Sequence, residues 1–230
     1  MLSTYIGEVQ NLLNDQQGQF HSIPTLQNYV NRSRRRIAYV SGCLRVLPPG
    51  TRTHRLQEVY RFSDWKPLVQ AVHPGIQSIL AVRTLAVAIG PGGWKPVWRR
   101  TVFSDFQARF RIYNGTYYGT VSEPGWYCQY GEGELGVLYL APIPSQSNPL
   151  DVDCTCIPSD LLTDNDPELI PQPWADAVPW WAATLALIQQ QRGDDAKQMA
   201  ALFNTEMPLA ASVVCPQLLV NPYGATLRSA

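Results

Sequence analysis

The run Trp174-Ala175-Asp176-Ala177-Val178-Pro179-Trp180-Trp181-Ala182-Ala183-Thr184-Leu185-Ala186-Leu187-Ile188 is rich in alanine and apolar on nearly every side. A helix that is apolar all round belongs in the middle of a core. The pattern predicts a long helix from 174 to 203, bent or interrupted around Gly193, with Met199, Leu202 and Phe203 continuing its apolar face. Pro179 either opens the continuous helix or kinks it, because proline removes a backbone donor and clashes with the preceding turn.

A central helix needs partners, and the N-terminal region supplies two. Leu2, Tyr5, Ile6, Val9, Leu12 and Leu13 recur at helical spacing, so residues 3–15 read as an amphipathic helix capped by Ser3 or Thr4 and stopped by the polar NDQQGQ. A second helix is expected from Pro24, a residue suited to the first turn, to a stop at Gly42. Its apolar face is Leu26, Tyr29, Val30, Ser33, Ile37 and Val40. It also carries Arg32, Arg34, Arg35 and Arg36, which spread over roughly 400° of the helix and cannot share one narrow stripe. Either they form a solvated face, or they meet phosphate or the acidic residues of a neighbouring subunit.

Beyond Gly42 the period drops from near 3.6 to near 2, and strands are expected at 52–62, 77–89, 126–130, 134–141 and 150–157. Turn signals separate them at Pro48-Pro49-Gly50, Gly90-Pro91-Gly92-Gly93, Asn114-Gly115 and Glu123-Pro124-Gly125. The segment 97–111 is ambiguous between strand and helix, with a short helix over 104–110 favoured. The tail from Pro208 has apolar pieces, two further prolines and no long period, and reads as an extended arm that must dock on its own domain or on a partner. The resulting class is α+β: a helical core built from the N-terminal helix pair and the long C-terminal helix, a large β-rich insert, and the arm. The divisions fall at 1–43, 44–157, 158–206 and 207–230.

The 230 residues carry 18 Lys+Arg and 18 Asp+Glu. That zero hides a split: residues 1–116 hold fifteen basic and five acidic side chains, and residues 117–230 hold three and thirteen. Apolar residues at 45% suffice for a real core, and charged residues at 16% fall below the roughly 25% of a typical soluble domain. A surface poor in charge and rich in aromatics often ends up covered by a partner. Five cysteines without regular spacing suggest a reducing compartment. No signal-peptide pattern or membrane-length apolar run is read, and the glycosylation sequons at Asn31 and Asn114 are taken as chance matches.

Catalytic patterns are sparse. His21, His54 and His73 each stand alone, and the sequence contains no nucleophile elbow, phosphate-binding glycine loop or zinc-protease helix. In Asp151-Val152-Asp153-Cys154-Thr155-Cys156, strand alternation places the two aspartates on one face and the two cysteines on the other, which reads as core and not as a zinc site. Asp160, Asp164, Asp166 and Glu168 lack the glycine-centred pattern of a calcium loop and read as turn formers or as contacts to a basic surface. No cofactor is expected.

The order of these segments is the informative feature. A short N-terminal helix, the helix YVNRSRRRIA followed by Gly-Cys, a β-rich insert, the strand and turn GVLYLAPIPSQSN, and then IPSDLLTDNDPELIPQPWADAVPWWAATLAL together resemble the head-to-tail adaptor (connector) proteins of tailed bacteriophages, especially the neck proteins of short-tailed phages. The likeness covers residues 1 to about 205, and the long β-rich middle departs from the smaller members.

The resemblance implies a virion protein, assembled in the host cytoplasm, that forms a homo-oligomeric ring, commonly twelve-fold. The ring lies between the portal and the tail or nozzle proteins, with double-stranded DNA passing through its lumen. Under it, Trp174, Trp180 and Trp181 would anchor the helical core or its neighbour contacts. Arg32, Arg34, Arg35 and Arg36 would meet acidic neighbours or DNA, and Asp160, Asp164, Asp166 and Glu168 would form an acidic contact loop. Val213, Val214, Leu218, Leu219, Val220 and Tyr223 would dock the arm on the portal or the next copy. The rival readings are a tail-tube or nozzle subunit, a nucleic-acid-binding regulator using the arginine-rich helix, and an enzyme of phage lysis or entry.

Overall fold

A computed structural model of the chain describes residues 1–87, 97–110 and 121–214. In chain order the elements are α1 (Leu2–Leu13), α2 (Ile23–Ser41), β1 (Arg45–Val46), β2 (Val59–Arg61), α3 (Phe62–Val72), β3 (Ile76–Val87), β4 (Arg99–Arg100) and α4 (Phe103–Phe110). They continue with β5 (Trp126–Tyr130), β6 (Val137–Ala141), β7 (Leu150–Pro158), α5 (Val178–Gln189) and α6 (Gly193–Val214). Single 3-10 turns occupy Gly133–Leu135 and Trp174–Ala177. The class is α+β. Two compact units result: Met1–Cys43 with Asp160–Ala230, and Leu44–Ser159.

The first unit is helical. Pro24 sits in the first turn of α2, and Gly42 ends that helix in the left-handed region at φ 59°, its N–H returning to the Ala38 carbonyl at 3.0 Å. Between α1 and α2 the polar stop is organised by the buried Asp15, whose carboxylate accepts the N–H groups of Gln19, Phe20 and His21 at 2.7–3.1 Å. Val9, Leu26, Val30, Ile37, Val178, Ala182, Ala183 and Ala186 form the fully buried centre of this core.

The long C-terminal helix expected over 174–203, bent or interrupted around Gly193, is a 3-10 turn and two helices, the second of which begins at Gly193 and runs on to Val214. Pro179 lies in the first turn of α5, where its missing N–H has no intrahelical partner to lose. The chain then reverses through Gln191 at φ 59°, immediately before Gly193. α6 folds back on α5, so that the Trp181 and Phe203 rings meet at a tilt of 47° with centroids 5.1 Å apart. Because α6 runs to Val214, Val213 and Val214 are helical and not part of an extended arm. Pro208 is absorbed within the helix. Leu218, Leu219, Val220 and Tyr223 lie outside the described residues.

The second unit contains two sheets. One has the order β1-β7-β3 and is antiparallel; the other has the order β2-β6-β5-β4, with only the β4–β5 pair parallel. The strand expected over 52–62 is confined to Val59–Arg61, and a helix that the sequence reading missed follows it. Phe62, Trp65 and Val69 are its buried positions, at i, i+3 and i+7. Pro67 within α3 concealed that period. Gly136 is required where it stands, since a Cβ there would come within 2.2 Å of the buried Phe62 ring.

In β7, the central strand of its sheet, Cys154 and Cys156 are fully buried and Asp151 is exposed, while Asp153 is itself buried although its partner Arg45 keeps an exposed side chain. The Arg45 guanidinium meets Asp153, with Nε at 3.2 Å from Oδ1. Burial pushes the Cys156 thiol up to about 12 and raises that of Cys154 as well, so neither is poised as a nucleophile.

Candidate functional site

On the residues alone the four arginines of α2 read as a solvated face or as contacts, and the acidic segment after β7 as turn formers or as contacts to a basic surface; the resemblance implies contacts for both. The helical unit instead brings much of this charge together within one chain. Gln27, Asn31 and Arg34 recur at i, i+4 and i+7 on α2, and all three grip residues 161–168. The Asn31 amide pairs with the backbone of Leu161 in both directions, donating to its carbonyl at 3.1 Å and accepting its N–H at 2.8 Å. Gln27 donates to the same carbonyl at 2.9 Å. Asn31 is buried, so its sequon has no accessible acceptor amide.

Arg34 is the centre of this arrangement. Its side chain is 1% exposed and forms a two-pronged pair with Glu168, which is 6% exposed: Nε to Oε2 at 2.9 Å and Nη2 to Oε1 at 3.0 Å. Nη1 donates to Asn31 Oδ1 at 3.3 Å, and Glu168 also accepts the Ile170 N–H at 2.8 Å. A fork-shaped guanidinium against a carboxylate is the strong, geometrically specific form of ion pair. Burial, and then the Glu168 carboxylate beside it, hold the Tyr5 hydroxyl well above the ordinary tyrosine range. Arg34 and Glu168 are thus occupied by each other and not presented to DNA or to a neighbour.

The remaining arginines differ from one another. Arg35 reaches Asp160 at 3.6 Å with both groups over a third exposed, an arrangement worth at most about 1 kcal/mol. Arg36 lies over the Trp181 ring with its guanidinium carbon 3.9 Å from the centroid, a cation–π contact. Arg32 is exposed, with no hydrogen bond or ion pair among the described residues.

The other acidic residues of the segment serve the backbone. Asp164 accepts the Ser3 N–H at 2.7 Å and the Met1 amine at 3.1 Å. A carboxylate distant in sequence therefore caps α1, in place of the expected Ser3 or Thr4, and is favourable at the positive end of the helix. Asp166 accepts the N–H groups of Leu162 and Thr163 at 2.6 and 2.7 Å.

Of the tryptophans, Trp174 is buried, and Trp180 and Trp181 pack half-buried against the same core. Among the described residues no group of three or more His, Cys, Asp or Glu is placed to hold a metal ion, and no helix is long and apolar enough to cross a membrane.

Backbone N–H donors hold the Asp164 carboxyl, through Ser3, and the Asp166 carboxyl, through Thr163 and Leu162, below the usual carboxylate range. At Asp15 burial works upward, but three backbone donors outweigh it and the net direction is also down. A depressed folded pKa contributes stability that is present above the unfolded value, about 3.9 for Asp, and is lost as the pH falls through the folded value. The helical unit is expected to unfold in acid below about pH 4, and Asp166→Asn should flatten that dependence. Circular dichroism at 222 nm against pH measures it; an unchanged slope in the variant would remove Asp166 from the account.

Helices and β-rich unit together correspond to a known family: the family model described as SU10 adaptor protein matches residues 2–214. The chain belongs to the SU10 adaptor protein family. It is a phage adaptor protein, a member of a structural family of the virion. No curated protein matches the adaptor chain. The match spans both compact units, so the β-rich insert is part of what defines the adaptor.

The two units also revise the charge split. Counted over the whole sequence, the helical unit of the adaptor carries seven basic and ten acidic side chains, and the β-rich unit eleven and eight. The contrast between sequence halves shrinks to net charges of −3 and +3. Arg34 and Glu168, from opposite halves, are neutralised in one core.

Proposed function

We propose that this adaptor assembles as a ring of twelve copies in the virion neck, joins the portal to the tail or nozzle proteins, and surrounds part of the channel through which double-stranded DNA passes. Family membership over residues 2–214 is the observation that carries this reading. Two features of the chain support it. The helical unit leaves Phe20, Ile23, Tyr39 and Val40 in solvent, and the β-rich unit leaves Leu135 at 86% exposure, an apolar surface suited to protein partners. Arg34 and Arg36 are engaged within the chain, which suits a channel protein past which DNA must slide better than one that grips phosphate. Beyond α6, Leu218, Leu219, Val220 and Tyr223 would dock on the portal or the adjacent copy. Assembly takes place in the host cytoplasm.

The test is native mass measurement of the purified chain with and without its portal ring. Monomers or weakly associating species alone, and a ring on the portal, are the expected result. A stable isolated dimer under both conditions would overturn the proposal.

A further inference from the structure

Within the helical unit, α1 and the start of α5 border an open cavity of about 460 Å³ lined by Glu8, Asn11, Leu12, Asp176, Pro179 and Trp180. Two carboxylate side chains and a tryptophan thus share one concave surface. Glu8 has no hydrogen bond or ion pair among the described residues. The Gln172 amide, oriented to donate, reaches Asp176 at 2.8 and 3.0 Å, but it is neutral. Burial and the neighbouring Asp176 charge both push the Glu8 carboxyl up, as expected for two negative charges held near each other without a cation. Carboxylates beside a tryptophan ring suit a guanidinium, which can pair with one and lie over the other.

A guanidinium without an ion pair among the described residues stands on a different helix of the same unit. Of the four arginines on α2, Arg34 is paired with Glu168, Arg35 with Asp160, and Arg36 is stacked on Trp181. Arg32 stands on the exposed stripe of α2 with Asn28, Tyr39 and Val40. A unit that presents an acidic and aromatic cavity at one place and, among the described residues, an arginine without an ion pair at another has the two halves of a heterologous contact, which forms a ring where the rotation between copies closes.

We infer that Arg32 of one copy enters the Glu8–Asp176–Trp180 cavity of the next, so that this pair sets the register between neighbours in the ring. The inference rests on the adaptor-ring reading and adds to it the residues of one contact. Tyr39 and Val40, on the same stripe, lie against the rim of the cavity in the neighbouring copy.

The experiment uses the full chain and its portal ring, with ring occupancy followed by native mass measurement as chain is titrated. Arg32→Glu and Glu8→Lys, each alone, are expected to raise the concentration needed for half-occupancy by about tenfold, because each sets like charges opposite one another. An equimolar mixture of the two variants is expected to recover wild-type occupancy. Where copies alternate, the glutamate introduced at position 32 faces the lysine introduced at position 8, and each native Arg32 faces a native Glu8. Both positions are exposed, and melting curves within a few degrees of wild type identify the loss as one of assembly. Singles that weaken the ring without recovery in the mixture overturn the Arg32–Glu8 contact, as do singles that leave occupancy unchanged; in both cases the adaptor reading stands. Absence of a wild-type ring on the portal overturns that reading and this inference together.

Discussion

Replacing Arg34 by alanine is expected to cost the helical unit about 3–5 kcal/mol, because the Glu168 carboxylate would be left buried without its cation. Denaturant unfolding followed at 222 nm measures the loss. The pair consists of a 1% exposed guanidinium and a 6% exposed carboxylate joined by two hydrogen bonds, and desolvation makes an orphaned member far more costly than the intact pair is favourable. The double variant Arg34→Met with Glu168→Gln should recover most of the loss. It removes both charges, and the glutamine still offers an acceptor to the Ile170 N–H. A loss below about 1 kcal/mol in the single variant, the level of an exposed pair, would mean that the two groups are solvated. Arg32→Glu should leave unfolding nearly unchanged, since its side chain is exposed. Of two arginines two residues apart on one helix, Arg34 thus belongs to the core and Arg32 to the surface.

Trp174→Ala is expected to destabilise the same unit by about 3–5 kcal/mol, the usual range for removing a large aromatic from a core. The more informative variant is Trp174→Phe. The Trp174 indole N–H is buried with no hydrogen-bond partner among the described residues, and an unsatisfied buried donor costs about 1–3 kcal/mol. Phenylalanine gives up part of the ring volume but also discards that donor. The two changes oppose, so the net cost should stay within about 1.5 kcal/mol. Equal losses for Phe and Ala would show that the indole N–H has a partner essential to the fold.

Much of the fold is legible in the sequence wherever one physical signal dominates. α2 begins at its proline and ends at its left-handed glycine, both conditions of the local backbone. β5 occupies Trp126–Tyr130, the run of strand-forming residues that follows the Glu123-Pro124-Gly125 turn signal. Reading fails where two signals compete. Around α3, Pro67 masks a helical period that Phe62, Trp65 and Val69 nevertheless carry. In α5 and α6, continuous apolar character concealed a reversal, since either a straight helix or a hairpin buries such a surface. At β7, alternation placed the two aspartates together, but only the fold shows that Asp151 stays exposed while Asp153 is buried against Arg45.

The candidate site shows the same division. Its residues stood out in the sequence as arginines on a helix and aspartates before a helix, and the 3.6-residue period could also have exposed Gln27, Asn31 and Arg34 as one polar face. No local rule says that Glu168, 134 positions away, completes that face, or that Asp164 caps a helix starting at residue 2.

By itself the sequence determined the α+β class, most helix and strand positions, and, through the order of its segments, the adaptor family. These depend on periodicity and on backbone preferences that each residue expresses locally. Only the tertiary structure decided which charges are paired inside the chain and which stay in water. That choice follows from burial: a guanidinium removed from water must find its carboxylate in the same core, as Arg34 does, whereas Arg32 keeps its hydration.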